Sequence, residues 1–449
     1  MEGTRPVQEN TYGKITSDIL RTLEPPSWKF LLFYATILAG LAVGIAAWVY
    51  QIRIGIGVSG KTHPVGWNAY ITDFVFWVGI AHAGTLISAI LYLLRAPFRN
   101  AVYRASEAMT VFAVATAGLF PLIHLGRVWY FYWLIPYPNQ RQLWVNFRSP
   151  LLWDVFAVGT YATISTIFFF VGLIPDVAAA RDRAKGIFKK ILYTLFSFGW
   201  TGSSRQWHHY MSAYTFFAAF ATPLVISVHS VVSWDFAMGI VPGWHTTIFP
   251  PYFVAGAIFS GIAMVITLMV PIRHYFKLEE YVTIDHFEAL GKILIFTSCI
   301  VGYAYAMEFF IALYSGNPFE RDQFIYRATG HYAWAYWIMV FCNVIAPLPL
   351  WIKSTRRNLG WLWVISILVN IGMWFERYNI IVQSLSHEFI PYAWGYNRPS
   401  YIEMAITLGS FCWFLALFFL CAKLFPSVAL TELKEIAPRP LRGEKGGHG

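Results

Sequence analysis

The sequence predicts an all-α integral membrane protein with about ten transmembrane helices. Three observations predict it. Of the 449 residues, 57% are hydrophobic and only 12% are charged, whereas a soluble domain carries about 25% charged residues to keep its surface solvated. The apolar residues fall in blocks of about twenty, each long enough as a helix to cross a hydrocarbon core of about 30 Å. The aromatic share is 19%, and Trp and Tyr gather at block ends, as in Trp129, Tyr130, Tyr132 and Trp133 or Tyr392, Trp394 and Tyr396, where amphipathic rings sit at headgroup level. Backbone polar groups in lipid must be satisfied internally, so the blocks are helices. The alternation of a membrane barrel is not seen.

The spans are predicted at 29–51, 67–94, 105–134, 150–175, 209–235, 251–271, 287–314, 331–351, 359–383 and 401–425. Pro and Gly punctuate the turns, as in Ile135-Pro136-Tyr137-Pro138 and Ile248-Phe249-Pro250-Pro251. Residues 1–28 form a polar arm without the apolar region of a cleavable signal peptide, and the tail from Pro426 reads as mostly disordered. Of the basic residues, 23 fall on the side holding both termini, eight on the other, and Lys292 and Arg377 inside spans. The positive-inside rule therefore expects both termini in the cytoplasm. The net charge of +10 is spent on this topology and does not indicate nucleic acid. The division expected is a first span with its outer loop (29–66), a four-helix bundle (67–235), a second (236–383), then an outer loop and last span (384–425), with a cytoplasmic tail (426–449). Whether the bundles are a duplication, with Glu308 onward answering to His124 to Asp154, is left open by the sequence.

Cys299, Cys342, Cys412 and Cys421 lie singly in or at the end of apolar blocks and read as small core residues. With no C-x-x-C, C-x-x-C-H or four-cysteine cluster, the chain has no means of its own to hold a standard iron–sulfur cluster or attach a c-type haem, and no metal site is expected.

Ionisable side chains inside spans are costly, about 2.5–3.5 kcal/mol at the bilayer centre on insertion scales, so each needs a partner or a role. Span two carries Asp73, His82 and Thr85; span three carries Glu107, Thr110, His124 and Arg127; span four begins with Asp154. Span seven carries Glu308, and span nine Glu376 and Arg377, a pair expected at a helix contact. Asp235 with His229 reads as a wet outer helix end. Spans three and four are antiparallel neighbours, so His124 and Asp154 meet at similar depth near the outer surface, beside Arg127. A quinol losing two electrons must lose two protons, and an imidazole with a carboxylate can take them. The plainer reading is an ion pair tying two helices together. Asp73, His82, Thr85, Thr110 and Glu107, in order of depth, make a broken polar line across the bilayer, readable as a proton path or as interhelical hydrogen bonding.

At these residues a resemblance appears. The stretch Asp73-Phe74-Val75-Phe76-Trp77-Val78-Gly79-Ile80-Ala81-His82-Ala83-Gly84-Thr85-Leu86-Ile87-Ser88, with Glu107-Ala108-Met109-Thr110, Gly118-Leu119-Phe120-Pro121-Leu122-Ile123-His124-Leu125-Gly126-Arg127 and Ser149-Pro150-Leu151-Leu152-Trp153-Asp154, resembles the NrfD-like, or polysulfide-reductase-C-like, membrane subunits. Within that family the likeness is closest to the ActC subunit of alternative complex III. The resemblance implies a quinol-oxidising subunit, menaquinol being favoured, that binds no metal or haem itself. It implies two four-helix bundles with a flanking helix at each end, in a bacterial inner membrane. It implies three kinds of partner: a peripheral iron–sulfur subunit, a homologous membrane subunit and c-type cytochrome subunits. Coupling to proton translocation is a further implication. It places the family's quinol-site His and Asp on His124 and Asp154, with Arg398 as a further basic residue. The alternatives are a quinone-reducing membrane anchor of a molybdopterin/iron–sulfur oxidoreductase, a secondary transporter, and a b-type cytochrome using His82, His124, His229 and His331.

Overall fold

The computed structural model describes residues 12–135 and 147–436, and every regular element among them is helical. Arg141 and the Pro136-Tyr137-Pro138 turn lie outside the described residues. Among the described residues, ten helices are long and apolar enough to cross a membrane: Trp28–Ile54, Ala69–Leu93, Tyr103–His124, Pro150–Asp182, Ser204–Ala237, Phe249–Tyr275, Ile284–Tyr314, Ala333–Trp351, Leu359–Ser386 and Tyr401–Leu424, here spans one to ten.

The largest boundary difference is in span three. Its helix ends at His124, not 134, because Gly126 turns the chain at φ +74°, a left-handed conformation that glycine adopts without a Cβ penalty. The aromatic run Val128–Leu134 follows as a separate 3₁₀ segment. Three π-helical turns interrupt otherwise α-helical spans, at Leu86–Ile90 in span two, Phe341–Ile345 in span eight and Asn379–Gln383 in span nine. Such turns widen a helix by one residue and re-aim the side chains around them.

Span two is the centre of the packing. It lies against spans three, five, six, nine and ten, and 89% of its apolar window is buried, against 22% for span one. A helix apolar on every side is accommodated in this way when protein covers all its faces. Span one packs mainly on span ten, where Gly44 and Gly409 meet so closely that a methyl group on either would strike the other's backbone.

Short helices at Tyr12–Arg21 and Leu430–Ile436 touch each other at one face of the spans, the face nearest the two ends of the described chain. The tail is ordered further than its composition predicts. Val428, Ala429 and Leu430 are buried, Glu432 accepts from Arg99 at 2.8 Å, and Thr431 donates to Asp176 at 3.1 Å. Burial beside Arg99 is what fixes this stretch. Cys342, Cys412 and Cys421 are buried as expected, but Cys299 is exposed on span seven.

Candidate functional site

The candidate site lies at the face opposite these two short helices. His124 closes the helix of span three, Asp154 stands in the second turn of span four, and Asp235 in the last turn of span five. All three line one cavity of about 420 Å³. Its walls are apolar, from Trp67, Ile71 and Phe74 at the start of span two to Val114, Gly118, Val158 and Ala162 deeper in spans three and four. Polar groups at one end and hydrocarbon at the other suit an amphiphile with a small polar ring.

Asp154 is buried, and its Oδ1 has no hydrogen-bond partner; Oδ1 of Asp235 likewise has none. The two carboxyl groups lie within hydrogen-bonding reach of one another. Orphaned buried acceptors are expensive, which marks them as waiting for a donor. His124 contacts Lys61, whose Nζ lies 3.1 Å from Nδ1 of the ring. An ammonium donates only, so Nδ1 accepts and Nε2 is the nitrogen left for a ligand. Lys61 sits in the loop between spans one and two. Burial lowers its pKa from 10.5 to about 8, and the attraction of Glu403 opposes that shift.

The expected pair of His124 and Asp154 is therefore brought together, but its companions differ. Arg127 is exposed beyond the Gly126 turn and does not line the cavity. Arg398 lines a different cavity on the other side of span two. Asp235 is not a wet helix end: it faces Asp154, while His229 is buried with its ring centroid 4.5 Å from that of His82. Asp235 was recoverable from sequence by depth, since span five returns to the same face beside span four. Lys61 carries only a weak signal, as a basic residue on the side that topology depletes of them.

The polar line also changes course. Asp73 turns toward spans nine and ten, accepting from Trp374 Nε1 at 2.7 Å and Thr407 Oγ1 at 2.6 Å. The inner part falls into two hydrogen-bonded groups, one around Glu107 and one around the Ala81 carbonyl. Glu107 accepts from Arg104 at 2.8 Å and from Tyr214 at 2.9 Å, and Arg104 also donates to Asp176 at 3.0 Å. One turn on, Thr110 and Tyr161 both donate to the Ala81 carbonyl, and Tyr161 meets Thr85 at 2.7 Å. His82 stacks on Tyr161 and touches His229; its Nδ1 donates to the Val78 carbonyl at 2.5 Å, and Nε2 has no partner. Beyond His229 lies Phe253, which carries the Arg377 guanidinium on its ring at 5.0 Å. Arg377 pairs with Glu376, which also accepts from Tyr305. Glu308 is buried on span seven with Oε1 unpartnered. His82 and His229 pack ring against ring, leaving no space for a porphyrin between them. Among the described residues no group of three or more His, Cys, Asp or Glu is placed to hold a metal ion.

These features define a multi-pass membrane protein with an apolar cavity that ends, at one face of the helices, in His124, Asp154 and Asp235. The chain belongs to the family described as polysulphide reductase, NrfD, which it matches over residues 57–387. It is 24% identical over 397 residues to a Halobacterium salinarum protein named as a membrane subunit of dimethyl sulfoxide reductase, covering 82% of this chain and 85% of that one. It is 20% identical over 440 residues to the Hdr-like menaquinol oxidoreductase integral membrane subunit of Archaeoglobus fulgidus, covering 93% and 98%. It is 21% identical over 427 residues to a selenate reductase subunit of Mesobacillus selenatarsenatis, covering 90% and 95%.

Proposed function

We propose that this chain is the quinone-handling membrane subunit of an oxidoreductase complex: the two electrons of the quinol pass to or from a peripheral iron–sulfur partner, and its two protons pass to or from side chains of this chain. The observation that carries this is the cavity joining His124 to the unpartnered oxygens of Asp154 and Asp235 at the end of an apolar channel. Among the relatives are subunits of reductases and of a menaquinol oxidoreductase. They favour a membrane anchor of an iron–sulfur oxidoreductase over the alternative-complex-III reading with its c-type cytochromes. Menaquinol is the favoured substrate by the name of one relative. The charge asymmetry supports an orientation with the termini in the cytoplasm and the site near the outer face.

The chain's own part in the chemistry follows from donors and acceptors. With Lys61 charged, His124 offers Nε2–H to one ring oxygen, so it orients the ring and stabilises the oxidised carbonyl. Asp154 then accepts the proton of the other hydroxyl, and the facing Asp235 can pass that proton on. With Lys61 neutral, its nitrogen accepts from Nδ1–H, and Nε2 then takes the proton of the first hydroxyl, so that His124 and Asp154 together receive both protons as the two electrons leave. The apolar walls exclude water from the ring. Purified wild-type and His124→Ala complexes, assayed for quinol-dependent reduction of the partner's acceptor, test the proposal. A fall of about 10²–10⁴-fold is expected for removal of an acid–base group; near-normal turnover would refute the site.

Coupling to proton movement is a second reading, favoured by the contact of His82 with His229. A line from Glu107 through Thr110, Tyr161 and Thr85 reaches His82, then bends through His229 toward Arg377, bypassing Asp73. In vesicles, charge moved per electron should fall in His82→Ala and Glu107→Gln more than turnover does. An unchanged ratio rejects the path.

A further inference from the structure

Span two has cavities on both sides of its end at the site face. The first is the His124 cavity. The second, of about 580 Å³, lies between spans two, nine and ten and the loops at that face. Trp374, Phe375 and Phe411 form aromatic walls, and Asn397, Arg398 and Glu403 stand at its polar end. It opens toward lipid past Trp334 and Leu408, whose side chains are exposed among apolar neighbours.

The polar end is built and unsatisfied. Asn397 is 2% exposed, yet neither its Oδ1 nor its Nδ2 has a partner; its backbone is held by Tyr332, whose hydroxyl receives from Asn397 N at 2.8 Å and donates to its carbonyl at 3.0 Å. Glu403 is fully buried. Its Oε1 caps span two by accepting from Ala69 N at 2.8 Å, and its Oε2 is unpartnered. A side-chain amide and a carboxylate oxygen together ask for a ligand that both donates and accepts hydrogen bonds.

We infer that this second cavity binds a quinone or quinol in addition to the one at His124, with its head at Asn397 and Glu403 and its tail leaving toward lipid past Leu408. A phospholipid headgroup fits less well. Its phosphate would meet Arg398 but be repelled by the buried Glu403 carboxylate, whereas a hydroquinone hydroxyl donates to that carboxylate and a ring oxygen accepts from the Asn397 amide. The flat walls offer a ring offset stacking, which a diacyl headgroup does not use. The inference does not rest on the assignment of the His124 cavity.

The test compares wild-type complex with Leu408→Trp, which fills the cavity from its lipid-facing side, and Asn397→Leu, which removes the head contacts. Quinone and phospholipid are extracted from each purified complex and counted per chain, with assembly checked by size-exclusion chromatography. Each variant is expected to lose about one quinone while phospholipid stays unchanged; if Leu408→Trp does not assemble, Asn397→Leu carries the comparison. In parallel, a photoreactive menaquinone analogue added to wild-type membranes should label residues 397–411 as well as 114–162. Loss of a phospholipid with quinone unchanged identifies a lipid site and overturns the inference. So does an unchanged count of both together with labelling confined to 114–162. Because neither readout involves turnover, a failed His124 assay leaves this result standing, and the reverse holds too.

Discussion

The two cavities beside span two have similar walls and different polar ends. At the His124 cavity three ionisable groups converge, and a fourth, Lys61, holds the ring of the first. At the Arg398 cavity the one buried carboxylate is half committed, because Glu403 also caps the helix at Ala69. Proton exchange needs groups free to change state, while binding needs only complementary donors and acceptors. The comparison thus separates a site equipped for chemistry from one equipped for holding, at nearly the same depth of the same helix.

The sharpest way to break the contrast is Asp154→Asn, which removes the better-buried acceptor. Quinol oxidation by the purified complex should fall about 10²–10⁴-fold, and a complex that turns over normally would make the two cavities equivalent. Asp235→Asn should cost less, about tenfold, since Asp154 remains as the first acceptor; steady-state turnover at saturating quinol measures it. Lys61 supplies a pH signature. Wild-type turnover should rise through pH 8, where the ammonium held down to about 8 by burial gives up its proton and frees His124 to accept. That inflection should vanish from the pH–rate profile of Lys61→Met. The same lowered pKa has a stability consequence of definite sign. The folded chain binds this proton less tightly than the unfolded chain, so stability relative to Lys61→Met should rise between about 8 and 10.5 and not fall. The smallest effect is expected at Arg127→Gln, less than about twofold in turnover, because an exposed charge acts through a screened medium.

The crossings were legible from the sequence because length and apolarity alone decide them, and all ten predicted spans overlap the ten helices found. Positions where a single residue overrides the pattern were not. Gly126 ends span three ten residues early although the aromatic run behind it is as apolar as a helix in lipid. The ordered Leu430–Ile436 helix depends on Arg99 and Asp176, distant in the chain, and its polar composition gives no hint of them. The site divides in the same way. His124 and Asp154 were readable because two consecutive spans joined by one loop fix their depth. Arg398 and Arg127 were misplaced because depth says nothing about which face of a helix, or which side of a turn, a side chain takes. Asp73 was assigned to the polar line on depth, yet it points away from His82 toward Trp374 and Thr407.

The contact of Gly44 with Gly409 carries a consequence for how the molecule is made. Span one is synthesised more than 300 residues ahead of span ten, its principal neighbour. At about 5–20 residues per second the ribosome needs on the order of tens of seconds to deliver it. During that interval the small-residue groove around Gly44 faces lipid alone, or a borrowed companion in the insertion machinery. Assembly of these helices is therefore a ring closure in time, in which span ten fastens span one and a chain cut short before Gly409 leaves span one unclasped.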